Sequence, residues 1–323
     1  MRNIKAPFNK FAEIMIISIC LFSFYAVKSQ TSLTRALDYD GDGKVDSVVL
    51  RPKENNWYIN KSSGGYAVTV AGMFPLDTPT PGDYDGDGKG DIAFWRESNG
   101  TFNYFRSSNN TFYSRSFGSI GDEPIARDYD GDGKTDLAVV RRANGYLLWY
   151  ILNSTNDSIS GYLYGHDTDI PVPGDYDGDG KFDFAVQRKP ISGSALFHIQ
   201  KSNGGSQVVT FGFFSDRVVP GDYDGDGKTD IAIVRDVGGL RDQKFEWWIM
   251  NSSNNSVVTK EFGNAELGDF PIQGDYNGDG KTDIAVWRSA VGETTNGRFY
   301  ILEIGEYPFG STGDLPVANY DVH

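Results

Sequence analysis

Cysteine and histidine are nearly missing from this chain. There is one cysteine, Cys20, and there are three histidines, His166, His198 and His323. No intrachain disulfide can form, so any cross-link has to be of another kind. The histidines lack the close spacing of a transition-metal site. No serine lies in a nucleophile-elbow pattern. Positive charge is also short: 30 Lys and Arg stand against 44 Asp and Glu, a net charge of −14. That balance excludes nucleic acid as a partner, because phosphate backbones need basic stripes. Beyond residues 14–27 no apolar run approaches the roughly 20 residues of a membrane-spanning helix. What the chain does have is 39% hydrophobic and 14% aromatic residues, enough for a sizeable core and too much for wholesale disorder.

The first 29 residues differ from the rest. Arg2, Lys5 and Lys10 give a basic start, residues 14–27 are apolar, and the small Ser29 is suited to cleavage. This is the pattern of a secretory signal peptide. An uncleaved anchor is the alternative; lipidation at Cys20 is disfavoured by the bulky Ile19 before it. Residues 30–323 then form the mature chain, with no cysteine and no membrane span. The reading is of an exported protein, secreted or at the cell surface, with the periplasm as a further compartment.

The mature chain repeats itself. DYDGDGKVD begins at Asp38, DYDGDGKGD at Asp83 and DYDGDGKTD at Asp128. DYDGDGKFD begins at Asp175, DYDGDGKTD at Asp222 and DYNGDGKTD at Asp275. The steps are 45, 45, 47, 47 and 53 residues, a period that marks a repeat architecture. Each acidic loop leads into a short β-rich run ending in arginine: Arg51, Arg96, Arg141, Arg188, Arg235 and Arg288. A polar turn, an aromatic strand, a second polar turn and a strand closing near Phe-Gly complete the unit. Four strands per unit, with no helical period, predict an all-β fold: a β-propeller of four-stranded blades. Six complete units predict six blades, with a single domain over 30–323. The partial unit at 314–321 and the segment before Asp38 both match a first strand, and a C-terminal strand is expected to close the ring. Closure removes sheet edges that otherwise invite aggregation. A solenoid is the architectural alternative.

The loops carry the chemistry. Positions 1, 3, 5 and 9 are Asp38, Asp40, Asp42 and Asp46 in the first copy, and Asp83, Asp85, Asp87 and Asp91 in the second. They are Asp128, Asp130, Asp132 and Asp136 in the third, and Asp175, Asp177, Asp179 and Asp183 in the fourth. The fifth has Asp222, Asp224, Asp226 and Asp230, and the sixth has Asp275, Asn277, Asp279 and Asp283. Position 7 is always lysine: Lys44, Lys89, Lys134, Lys181, Lys228 and Lys281, each offering its backbone carbonyl. Glycine at position 6 permits a sharp turn. Calcium takes six to eight oxygens from this mixture of carboxylates and carbonyls; magnesium demands a stricter octahedron. The first half of the loop matches an EF-hand. The EF-hand glutamate at position 12 is absent, and Val139 occupies that place in the third copy. The loops hold four acids in each of five copies and three in the sixth, 23 of the 44 in the chain. About one calcium ion per repeat, six in all, would neutralise most of the net charge and could replace the missing disulfides.

With Phe211-Gly212 ahead of GDYDGDGKTDIAIVR at 221–235, the unit resembles the FG-GAP/VCBS repeats of integrin-α-type calcium-binding β-propellers, in the form carried by bacterial exported proteins. The resemblance covers about 32 to 321. It implies calcium at the positions named and a role in adhesion or ligand binding. Two features depart from the family. The Gly-Ala-Pro element is replaced by the arginine-ended strand, and six units are fewer than the usual seven, which keeps seven blades as the alternative.

The recurrent arginines could face an anionic ligand, but their presence in every unit favours pairing between blades. Tyr39, Tyr84, Tyr129, Tyr176, Tyr223 and Tyr276 at loop position 2 are expected in interblade packing. Trp57, Trp95, Trp149, Trp247, Trp248 and Trp287 could stack on sugar rings, though core packing is favoured. Seven Asn-x-Ser/Thr triplets, at Asn60, Asn99, Asn109, Asn153, Asn156, Asn251 and Asn254, are matched equally by turn composition. Residues 235–248 and 292–298 interrupt the repeat and are the expected functional loops. The reading is a non-enzymatic binding or adhesion module, lectin-like or protein-binding, with carbohydrate or an extracellular protein as partner. The alternative is a polysaccharide-active lyase or hydrolase built on a propeller.

Overall fold

A computed structural model describes residues 35–70, 72, 77–237, 244–290 and 296–318. The expected signal peptide with Cys20, parts of both repeat interruptions, residues 319–321 of the terminal partial unit and His323 lie outside the described residues.

Within them are six four-stranded antiparallel sheets, one per repeat: the six blades of a propeller. Each blade has the same build. The innermost strand is two or three residues long: Asp77–Pro79, Glu123–Pro124, Ile170–Pro171, Arg217–Val218 and Asp269–Pro271 in blades two to six. Blade one takes its innermost strand from the far end of the chain, where Leu315 pairs with Leu50 and Pro316 with Val49. The C-terminal strand therefore closes the ring. In the described part of the matching N-terminal segment, Arg35 to Leu37 make a helical turn that leads into the first loop. Proline in five of the six inner strands suits an edge with a partner on one side only, since proline cannot donate to a second neighbour.

The second strand ends at the recurrent arginine and is buried on both faces, as in Ile92–Arg96. Its Val, Ile, Ala and Phe residues read as a continuous apolar run for that reason. The third strand alternates, and Lys244–Met250 shows buried and half-buried residues in strict succession. The outer strand is largely exposed, as in Phe112–Ser116.

The core lies between the blades. Six apolar clusters each join two neighbouring blades, and the last couples Val49 of blade one to Ala285, Trp287 and Phe299 of blade six. Tryptophan supplies the bulk. Trp95 and Trp287 sit on second strands, opposite Phe102 and Phe299. Trp149 and Trp247 sit on third strands, opposite Val140 and Val234. Either way the indole N–H donates to an outer-strand carbonyl, of Phe117, Phe309, Tyr164 or Phe262, at 2.7–3.3 Å. With Trp57, five of the six tryptophans are core residues, and Trp248 alone is half-buried. Blade four has no tryptophan. Gln187 and Phe197 face each other there, and the fully buried Gln187 amide has no partner at either end.

Candidate metal centre

In blades two to six each acidic loop connects the inner strand to the second strand; in blade one it leads into the second strand from the N-terminal side. A single bridge, such as Gly82 to Asp91 or Gly174 to Asp183, pins the loop ends together in blades two to six. The short connection needs left-handed backbone at positions 4 and 6, and Gly86 (φ 80°) and Gly88 (φ 86°) supply it without a Cβ clash.

The position-1 carboxylate organises the turn. In all six loops one of its oxygens accepts the position-4 N–H at 2.6 Å and the other the position-6 N–H at 2.9 Å. The position-9 carboxylate, at most 1% exposed in Asp46, Asp91, Asp136, Asp183 and Asp230, ties the loop to its blade. Its Oδ2 accepts the position-2 tyrosine N–H at 2.8–2.9 Å in every copy. Its Oδ1 accepts an N–H from the turn between third and outer strands, from Ser62, Ser107, Ser154, Ser202 or Ser252, at 2.6–2.7 Å.

That turn was hidden in the sequence. Its hydroxyls reach over the loop: Ser62 donates to Asp42 at 2.8 Å and Ser63 to Asp40 at 2.6 Å, and Ser107 and Ser108 repeat the pattern in blade two. The signal was present, as a Ser-Ser, Ser-Thr or Ser-Asn pair following each of the first five third strands. Such pairs are ordinary turn composition and do not stand out. Blade six lacks the pair and has Leu302, Glu303 and Ile304 instead. There the Asn277 amide donates to Asp283 at 3.2 Å.

In five of the loops three of the four expected acid positions crowd together. Ligand oxygens of positions 1, 3 and 9 lie within 4.8 Å of one another in blades two to five, as do those of positions 1, 3 and 5 in blade one. Asn277 takes the place of the third acid in blade six. Among the described residues, no lysine or arginine forms an ion pair with a loop carboxylate of blades two to six. Burial, set against the backbone N–H groups that favour ionisation, pushes Asp46, Asp128, Asp136, Asp183, Asp230 and Asp283 up to about 6, and Asp91 to about 7. In blade four Asn203 replaces the second hydroxyl, and the buried Asp177 Oδ2 has no hydrogen-bond partner. Crowded carboxylates without counter-charge, and one orphaned oxygen among them, are the donor set a hard divalent cation fits.

The other recurrent residues have structural partners. Each arginine grips an aspartate at the start of its own blade's inner strand: Arg141 with Asp122 at 2.7 and 2.8 Å, Arg188 with Asp169 at 2.9 and 2.7 Å. Arg51 grips Asp314 across the ring closure at 2.7 Å. These aspartate side chains are at most 3% exposed. The pairing lies within a blade, not between blades as expected. Its reach to the neighbour comes through the backbone: Ser119, at the end of the preceding blade, donates its N–H to Asp122 at 2.7 Å. Tyr84, Tyr129, Tyr176, Tyr223 and Tyr276 donate to the carbonyl four residues upstream at 2.7–2.8 Å, and they pack between blades. Asn109, Asn156 and Asn254 cap their own turns by accepting the N–H two residues on.

Comparison with known proteins agrees with this geometry. The family model for FG-GAP-like repeats matches residues 38–94, 128–186 and 222–286, more than half of the chain. Among curated proteins none matches. Among solved structures, a triple arginine-to-alanine mutant of AofleA from Arthrobotrys oligospora aligns with a TM-score of 0.52. It shares 9% identity, over 89% of this chain and 97% of that one. At that identity the likeness concerns the fold alone.

Proposed function

We propose, from the premise that the chain belongs to the FG-GAP-like repeat family, that it is an exported, calcium-loaded propeller that binds carbohydrate or protein ligands without turning them over. The observation that carries the calcium part is the crowding of carboxylate oxygens within 4.8 Å, repeated in five blades. Ionised at neutral pH and empty, such a cluster repels itself by about 1–3 kcal/mol per pair. Positions 1, 3, 5 and 9 would hold the ion, with the position-7 carbonyl. The ion would supply the positive charge that the loops lack and would fix each hairpin.

The ligand-binding part rests on the surface. The loops hold one end of each blade and the arginine–aspartate clamps the other, so the exposed outer strands are free to vary. They carry open aromatic rings, among them Tyr66 at 58%, Phe112 at 52% and Tyr162 at 48% exposure. Flat rings on a rigid sheet are suited to stacking on sugars and to protein contacts. Export fits the need for calcium near 1 mM, the range of extracellular modules. Among the described residues no helix is long and apolar enough to cross a membrane.

The test is a glycan array and an extracellular-protein array, each probed in calcium and in chelator. Calcium-dependent retention of unaltered ligand supports the reading. Release of product from a polysaccharide would overturn it in favour of an enzyme. N-terminal sequencing of protein exported from cells checks the expected cut after Ser29.

A further inference from the structure

The six loops touch one another. The position-8 N–H of each loop donates to the position-1 carbonyl of the loop before it. Gly90 donates to Asp38 at 2.7 Å, Thr135 to Asp83 at 2.7 Å and Phe182 to Asp128 at 2.8 Å. Thr229 donates to Asp175 at 2.7 Å and Thr282 to Asp222 at 2.6 Å, and Val45 closes the circle on Asp275 at 2.8 Å. All six joints are made, including the one across the ring closure. Residue type at position 8 varies through Val, Gly, Thr and Phe, so the joint belongs to the backbone.

A second contact runs beside it. The position-7 lysine lies over the preceding loop's position-4 glycine: a Cβ at Gly86 would stand 2.6 Å from Lys134 Cε, and one at Gly131 would stand 2.9 Å from Lys181 Cγ. The same overlap joins Lys89 to Gly41, Lys228 to Gly178 and Lys44 to Gly278. Lysine at position 7 thus lays its aliphatic stem across a neighbour's loop while its backbone serves its own.

The joint uses a telling peptide unit. The position-8 N–H and the position-7 carbonyl belong to one planar trans peptide, so they point in opposite directions. The N–H points at the preceding loop's position-1 carbonyl, and the carbonyl points away from that neighbour. On the metal reading given above, position 7 supplies that carbonyl to its own cation, and position 1 supplies its carboxylate to the preceding cation. A cation drawing on the carbonyl would polarise the peptide and strengthen the N–H it presents to the preceding loop. It also fixes the peptide's orientation, which removes disorder the neighbour would otherwise have to lose on binding its own ion.

We propose that the six loops form one closed hydrogen-bonded circuit and take up cations cooperatively, each filled loop raising the affinity of the loops beside it. The inference rests on the calcium reading of the loops. It differs from a set of independent sites in a way that binding curves read directly.

The experiment is titration of the metal-stripped full chain with calcium alone, followed by isothermal calorimetry and by tryptophan fluorescence. Cooperative filling gives a Hill coefficient of about 2 or more. Two variants locate the coupling. Thr135→Pro removes one joint N–H and leaves every carboxylate in place; Asp130→Asn weakens one loop and copies the natural Asn277, so it keeps the testable route open if the proline variant does not fold. With coupling, Asp130→Asn lowers the affinity of the five unaltered loops by about threefold and flattens the curve. A Hill coefficient of 1 or below in the native chain, with five unchanged sites in Asp130→Asn, overturns the circuit and leaves the calcium reading standing. Absence of calcium binding removes both.

Discussion

Replacing Asp130 by asparagine should stabilise the metal-free chain far more than the calcium-loaded one. In the metal-free chain Asp130 faces Asp128 and Asp136, with carboxylate oxygens of the three within 4.8 Å. At that distance each pair of charges repels by about 0.9 kcal/mol in water and about 3.5 kcal/mol at an effective dielectric of 20. Asp130 is half-buried, so solvent screens it, and removing both pairs should stabilise by about 2 kcal/mol. Little is lost in exchange. Asp130 accepts the Asp132 N–H at 3.2 Å, and Asn277 shows that an amide oxygen does the same for Asp279 at 2.7 Å. For a chain of this size the gain amounts to about 4 °C in melting temperature. In calcium most of that gain should disappear. One fewer negative ligand weakens that loop by about tenfold, a loss of about 1.4 kcal/mol once the native loop is saturated, which leaves a net gain of about 0.6 kcal/mol, or about 1 °C. The assay is thermal unfolding followed by far-ultraviolet circular dichroism at pH 8, in chelator and in about 1 mM calcium. An equal rise in melting temperature in both buffers would refute the argument that these carboxylates are a metal clasp.

Asn277→Asp is the mirror image: it should tighten calcium at the sixth loop in calorimetry and lower the melting temperature in chelator. Arg235→Met should cost about 3–5 kcal/mol in urea unfolding, because it strands a buried charge; Asp216 is fully buried and is held by Arg235 at 3.0 and 2.8 Å. Asp216→Asn on top of it should recover part of the loss. Gln187→Leu should stabilise by about 1–2 kcal/mol, since it replaces two partnerless buried amide atoms with an apolar group of similar size. The pH dependence should reverse with metal. Burial holds the position-9 carboxylates near 6, above their unfolded values, so the metal-free fold binds protons more tightly than the unfolded chain. The stability those carboxylates withhold at neutral pH is regained as pH falls from about 7 toward 4. In calcium, protons compete with the ion and acidification should lower the melting temperature instead.

The repeat, the blade count, the four strands per blade and the acid positions were legible because each rests on residue identity at a fixed step. The clamp aspartates were not. Asp122, Asp169, Asp216 and Asp269 each precede their arginine by nineteen residues, but they lie in linkers whose sequences otherwise differ, GDEP beside HDTDIP. Aspartate is common in such turns, and a regular spacing of two frequent residue types carries little information. The tryptophans were expected in the core, and five of the six lie there, but they share no one position in the repeat. Blades two and six place theirs on the second strand and blades three and five on the third, so no single column of the repeat holds the indole. The packing need is shared by the facing pair, and either strand can meet it. The loop-to-loop joints were invisible altogether. A backbone N–H leaves no trace in residue choice, and position 8 tolerates anything from Gly90 to Phe182.

Those joints and the clamps divide the work of a ring that has no disulfide. A propeller's weak place is where its ring is closed by a strand remote in sequence, and here, among the described residues, Leu315 and Pro316 are the two that pair with blade one. Two ladder pairs are too few to secure a seam by themselves. The same seam is crossed by the Arg51–Asp314 clamp at one end and by the Val45–Asp275 joint at the loop end. Between them Val49 packs into the cluster of Trp287 and Phe299. The seam therefore has the same three attachments as the other blades, but it lacks the acidic loop that ties their inner strand to the second, and it differs in one further respect. Its loop-end joint is anchored on the sixth loop, which has asparagine at position 3 and no hydroxyl pair above it. If cations tighten the joints, the closure depends on the loop least equipped to hold one, and metal supply sets how firmly the ring is shut.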